Sequence, residues 1–190
     1  MVFGAVAAIG QKNLKRLMAY SSISHMGFAL AGLAVGTNEG IQSSLIYISI
    51  YLLMNLAFFS CLFMLRRNGI YYENLSDLSG LSKNHPILAL CLLISLFSLA
   101  GIPPLAGFFA KFYIFLAVIK EEMYFLAIVG LLSTVVAAFY YLRVIKTIYF
   151  DSQTEKFDIN HDIGLKISLL VSTVIILICL LYTSPSPRDQ

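Results

Sequence analysis

Long apolar blocks alternate along this chain with short polar clusters: Gln11 to Arg16, Asn38-Glu39-Gly40, Arg66 to His85, Lys120-Glu121-Glu122 and Asp151 to Asp162. The block from Met1 to Gly36 would measure about 54 Å as one helix, well beyond a hydrocarbon core of about 30 Å. The pattern predicts a helix over 1–22 and a shorter one over 24–36. Ser21-Ser22-Ile23-Ser24 is the expected turn, because serine side chains compete for backbone hydrogen bonds. A third helix is expected over 41–66. The polar stretch from Ile70 to His85 is read as lying along the membrane surface, and Pro86 suits the first turn of the next helix. From Pro86 to Ile119 the run is again too long for one crossing, about 50 Å. Pro103-Pro104 is where it must break, since proline removes backbone donors and disfavours helix in the residue before it. That predicts helices over 87–100 and 104–120, joined by a tight turn, then 123–150 and 164–182. The expected fold is thus an all-α polytopic bundle of about seven spans, with residues 1–182 as a single transmembrane domain. The proline-rich end, 183–190, is expected to be a disordered or artefactual tail.

Composition makes the membrane assignment firm. Of 190 residues, 59% are hydrophobic and 12% charged, with a mean hydropathy of +0.84, more apolar surface than so few polar residues could cover in water. The net charge of +3 is small and dispersed, so no nucleic-acid partner is indicated. Cys61, Cys91 and Cys179 stand apart with no metal-ligand spacing, and no phosphate loop, dinucleotide fingerprint or strand pattern is legible. Any cofactor is expected in partner chains. With seven crossings, Arg66, Arg67, Lys83 and Lys120 would face one side and Arg143, Lys146 and Lys156 the other, so basic residues do not set the orientation.

Against this background Lys111 stands out, an isolated lysine amid apolar residues just beyond the double proline. Its helical neighbours Gly107, Phe108, Ile114 and Phe115 supply no carboxylate. One reading is a side chain that snorkels to an interface. The other is a protonatable site, since burial disfavours the charged form of a lysine and makes its proton exchangeable. Gln11, Lys15 and Ser22 share a face if they lie on one helix, a stripe suited to a file of water, or else belong to a basic loop. His25, four residues after Ser21, is a candidate relay or a satisfied helix-end histidine. Tyr20, Tyr47 and Tyr51 are read as packing, and Tyr140, Tyr141 and Tyr149 as an interfacial aromatic belt with Arg143 and Lys146 reaching water.

The stretch Gln11-Lys12-Asn13-Leu14-Lys15-Arg16-Leu17-Met18-Ala19-Tyr20-Ser21-Ser22-Ile23-Ser24-His25-Met26-Gly27-Phe28 resembles the signature of the antiporter-like subunits of respiratory complex I, the NADH-quinone oxidoreductase. Leu99-Ala100-Gly101-Ile102-Pro103-Pro104 with Gly107-Phe108-Phe109-Ala110-Lys111-Phe112, and Tyr140-Tyr141-Leu142-Arg143, agree with it in the same order. The resemblance implies two inverted five-helix repeats, each with a discontinuous helix bearing a lysine. It implies Lys111 as the lysine of the second broken helix, Lys15 as a central connecting lysine, and proton translocation driven by quinone reduction elsewhere in the complex. An antiporter subunit of a multi-subunit sodium/proton exchanger shares these features, and a purely structural membrane subunit is the plainer alternative. NAD, flavin, iron–sulfur clusters and quinone would then sit in partner subunits, with other membrane subunits and the lipid bilayer as partners. The implied location is a bacterial inner membrane, or a mitochondrial one if the chain is organellar. Only about the last seven helices of such a fold are expected here, so the first repeat would lie upstream of Met1.

Overall fold

The computed structural model describes residues 1–67, 70–71, 73–152, 158–159 and 162–182. The expected tail at 183–190 lies outside them. Eight α-helices dominate: α1 (Val2–Ile9), α2 (Leu14–Ala34), α3 (Asn38–Met64), α4 (Leu81–Asn84), α5 (Pro86–Ala100), α6 (Ala106–Lys120), α7 (Tyr124–Phe150) and α8 (Ile163–Tyr182). Among the described residues, α2, α3 and α7 are each long and apolar enough to cross a membrane alone.

The first helix boundary differs from the expected one. The chain breaks at Gly10 to Asn13, and α2 runs unbroken through Ser21-Ser22-Ile23-Ser24. Asn13 caps α2 by accepting the Arg16 N–H at 3.1 Å, which fixes the start. The serines do not break the helix because their hydroxyls find other partners. Ser22 Oγ donates to the Met18 carbonyl one turn back at 2.8 Å, and Ser21 Oγ bonds the Tyr141 hydroxyl. Thr37 caps α3 in the same way as Asn13 caps α2.

The second correction concerns α5 and α6. Both run antiparallel along the single helix α3, one after the other. Cys61 Sγ, late in α3, donates to the Leu88 carbonyl early in α5, and Ser98 Oγ near the end of α5 donates to Met54 Sδ in mid-α3 at 2.9 Å. Further along, Ser43 Oγ donates to the Tyr113 carbonyl of α6, and Lys120 pairs with Glu39 at 2.6 Å. Each of α5 and α6 is about 22 Å long. Together they run the length of α3 in one direction, interrupted at Gly101 to Leu105 beside Met54, and do not fold back on each other as two short helices joined by a turn would.

One end of the bundle gathers the loops. A small sheet in the order β2-β1-β3, with β1 (Leu65–Arg67), β2 (Ile70–Tyr71) and β3 (Asp158–Ile159), ties the end of α3 to the loop before α8. Strands this short carry no alternation that a sequence reading can detect. Leu14 N–H donates to the Glu73 carbonyl at 2.7 Å, and Leu75 N–H to the Lys12 carbonyl at 2.9 Å. Arg143 donates to the carbonyls of Ile9, at 2.7 Å, and Gln11, tying α7 to the α1–α2 junction. Lys12, Lys15, Arg16, Lys83, Arg143, Lys146 and Lys166 therefore share one end, whereas Lys120 lies at the other. The even split expected from seven crossings does not hold, because α5 and α6 do not cross twice.

The break depends on Gly107. A Cβ there would stand 1.9 Å from the Ser98 carbonyl oxygen, so α5 and α6 meet with no room for a side chain. Gly107→Ala is expected to push the two half-helices apart at a cost of about 1–3 kcal/mol. Thermal unfolding of the purified variant should show a lowered midpoint.

Candidate functional site

The site begins with how the broken helix satisfies its free ends. The last four carbonyls of any helix lack intrahelical partners. At the end of α5, Gly101 takes the left-handed conformation at φ +82°, which glycine adopts without strain. Its N–H donates back to Phe97 and Ser98, and Ile102 N–H donates to Phe97. Two carbonyls remain, Leu99 and Ala100, and Lys111 Nζ donates to both at 3.1 Å. On the other side of the break, the Gly107 N–H at the start of α6 is satisfied by Ser98 Oγ at 3.0 Å. Ser98 thus caps a helix to which it does not belong.

Lys111 is 4% exposed and pairs with no carboxylate among the described residues. Its charge faces the negative end of the α5 dipole and the face of Phe28, whose ring centroid lies 5.4 Å from Nζ. The snorkelling alternative is excluded by this burial. Phe28 in turn packs 6.1 Å from the Tyr47 ring.

His25, on α2, is 2% exposed and lies within electrostatic reach of Lys111. Both of its ring nitrogens meet tyrosine hydroxyls, Nδ1 with Tyr47 at 2.7 Å and Nε2 with Tyr141 at 3.1 Å. Tyr51 stacks on the imidazole at 4.7 Å between centroids, and its hydroxyl donates to Ser22 Oγ at 2.8 Å. Tyr141 continues to Ser21. A polar line therefore runs from mid-depth toward the basic end. The hydroxyls of Ser24 and Tyr140 are buried beside it with no hydrogen-bond partner among the described residues.

Lys111 Nζ lies over the Phe28 ring, Phe28 packs against Tyr47 and Tyr47 bonds His25, whereas Lys15 stands apart from all of them. Lys15 occupies the first turn of α2 with 46% of its side chain exposed, paired with Glu73 at 2.7 Å. Gln11 belongs to the turn before α2 and bonds Ala7, so the expected stripe of Gln11, Lys15 and Ser22 does not form. The signal behind that expectation was helical spacing, which assumed that one helix contained all three. Sequence reasoning also missed Tyr47, Tyr51 and Tyr141, taken for packing or for an interfacial belt. Tyr140 and Tyr141 are fully buried, because α7 turns this face toward α2 and not toward the lipid interface. The available signal was the spacing of Ser21 and His25, one helical turn apart, which marks a polar face requiring hydroxyl partners.

The Lys15 ammonium, by its hydrogen bond and charge, holds the Glu73 carboxyl below the usual carboxylate range. A depressed folded-state pKa contributes stability that is present above the unfolded value and lost as pH falls through the folded one. Lys15→Gln should return Glu73 toward its ordinary value of about 4.3 and shift the acid limb of stability to higher pH. Following unfolding from pH 6 down to pH 3 would show this; superimposable acid limbs would contradict it.

The family model described as NADH:quinone oxidoreductase/Mrp antiporter, TM, matches residues 1–137. The chain is 72% identical to a protein of Pelagibacter ubique named NADH-quinone oxidoreductase subunit N, over 97% of this chain and 39% of that protein. It is 52% identical to one of the same name from Parvibaculum lavamentivorans, over 97% of this chain and 38% of that protein. The chain thus spans about two fifths of the length of these curated relatives. Among solved structures, a chain of respiratory complex I from Thermus thermophilus with bound aureothin superposes with a TM-score of 0.82 at 28% identity, covering 96% of this chain and 42% of that one. A chain of the Mrp complex from Dietzia sp. DQ12-45-1b gives 0.82 at 20% identity, over 94% and 42%, a likeness of fold. With the family model matched over most of its length and a broken helix bearing a buried lysine, this chain belongs to the NADH:quinone oxidoreductase/Mrp antiporter transmembrane family.

Proposed function

We propose that this chain contributes a proton-translocating half-channel to the membrane arm of an NADH-quinone oxidoreductase. The observation that carries this reading is the Lys111 ammonium, buried at mid-depth on the carbonyls of Leu99 and Ala100 with no countercharge among the described residues. A lysine neutralised by a carboxylate holds its proton firmly. One held by helix-end carbonyls keeps it only while that geometry and the local hydration last. A small shift at the break between Gly101 and Leu105 would therefore load or unload Lys111.

The next carrier in this reading is His25. A neutral imidazole has one donor and one acceptor nitrogen, so a proton taken at one nitrogen can leave from the other without the ring turning. Tyr141 and Ser21, with Tyr51 and Ser22 beside them, then lead toward the basic end. Water bonded to the Ser24 and Tyr140 hydroxyls would complete the line.

The same reading extends to the setting. Residues 1–182 form one transmembrane unit in which α1, α2, α3, α5, α6, α7 and α8, about seven apolar segments, lie in the bilayer, with α5 and α6 sharing a crossing. The basic end faces the cytoplasm of a bacterial inner membrane, as the excess of Lys and Arg there favours. Other membrane subunits are its partners; NAD, flavin, iron–sulfur clusters and quinone belong to them, and this chain supplies no redox group. The name shared by relatives at 72% and 52% identity favours this reading over a sodium/proton exchanger subunit.

In the full-length subunit within its assembled complex, Lys111→Ala should abolish most NADH-driven proton pumping into inside-out vesicles. Tyr141→Phe, which keeps the ring but removes the hydroxyl, should slow pumping by a smaller factor. Undiminished pumping by Lys111→Ala would refute the assignment.

A further inference from the structure

At the basic end, a cavity of about 350 Å3 opens between the α1–α2 junction, the 3₁₀ turn Leu75–Leu78 and the end of α7. Lys12, Arg143, Ser76, Ser79, Thr147 and Asp151 line it. The Lys12 ammonium has no hydrogen bond or ion pair among the described residues. The Arg143 guanidinium spends two N–H groups on the Ile9 and Gln11 carbonyls, which satisfy its donors without cancelling its charge. The carboxylates nearby are otherwise engaged. Asp151 lies 3.8 Å from Lys146, and Asp77 accepts from the Asn74 N–H at 2.9 Å within its own turn. The cavity therefore sets two cations, Lys12 and Arg143, against the one lining carboxylate of Asp151, and Ser76, whose hydroxyl donates to Asp77 at 3.5 Å, stands at its edge.

Its place in the fold says which anion suits it. Thr147 and Arg143 lie one turn apart on α7, and the neighbouring face of that helix carries Phe150, the exposed Lys146 and then the exposed apolar side chains of Leu142, Phe139 and Val135. A ligand with a phosphate at one end and hydrocarbon at the other matches a cationic cavity at the head of an apolar stripe. We propose that this cavity binds the phosphate of an anionic phospholipid headgroup, with Lys12 and Arg143 as its cationic contacts and its acyl chains along the outer face of α7. The site is distinct from the Lys111 line and does not depend on the proton-translocation reading.

The test uses membranes containing the full-length chain with a photocrosslinking amino acid at Ser76, which is exposed at the cavity mouth. These are fused with vesicles of alkyne-tagged phosphatidylglycerol or alkyne-tagged phosphatidylcholine. Phosphatidylglycerol should label the chain at least several-fold more strongly. Lys12→Gln should reduce that preference about fivefold, as expected for one cation near a membrane surface. Excess inorganic phosphate should leave labelling unchanged. Equal labelling by both lipids, or a crosslink to a neighbouring protein in place of lipid, would overturn the proposal. Loss of the adduct with inorganic phosphate would assign the cavity to a small phosphate and overturn the lipid.

Discussion

The two bonds from Lys111 Nζ to the carbonyls of Leu99 and Ala100 set the terms for the rest of the structure. A charge at the centre of a membrane protein is costly, and so is an open helix end at the same depth. Here each meets the requirement of the other. The broken helix offers carbonyls that nothing else reaches, and the lysine offers donors that would otherwise be buried without acceptors. Gly101 permits the left-handed turn that aims those carbonyls, and Ser98 takes up the amide on the far side of the break. Replacing the interruption with continuous helix would give Leu99 and Ala100 their usual intrahelical partners and leave the ammonium with none.

This mutual dependence explains the arrangement of the surrounding helices. Helix α3 is unbroken and runs beside both halves of the interrupted crossing, so it holds the break at a fixed depth through Met54. Helices α2 and α7 bring His25 and Tyr141 to the same level from two other directions. The polar line is assembled from four helices, α2, α3, α6 and α7, and only members that share a helix, on α2 and α3, are close in sequence. At the basic end, Arg143 and the bonds between residues 12–14 and 73–75 fix where α2 starts, and so where along the bundle His25 sits.

The charge distribution follows from the same geometry. Counting α5 and α6 as separate crossings exchanges the two sides for everything downstream. Once they are one crossing, the bases of the α1–α2 junction, the loop before α5 and the end of α7 fall together. A single misjudged crossing was enough to hide a strong asymmetry.

Much was legible from the residues alone. The extent of the apolar blocks marked a membrane protein, Pro103-Pro104 marked the interruption, and Lys111 was conspicuous because a lone lysine in apolar surroundings has no local explanation. These are properties of short stretches, and hydropathy and proline chemistry act locally. Whether α5 and α6 make one crossing or two could not be read that way, since it depends on what lies beside them, here α3. Nor could the fate of Ser21, Ser22 and Ser24, which the residues permit to end a helix and which the Tyr51 and Tyr141 hydroxyls help to keep within one. Lys15 and Lys111 carry the same side chain and were equal candidates by composition. What separated them was tertiary: Glu73 meets one at the surface, and the end of a broken helix meets the other in the interior. The sequence by itself determined which groups were available for chemistry; packing decided their partners, because the cost of a buried charge or an open helix end is met by whichever complementary group the fold brings within reach.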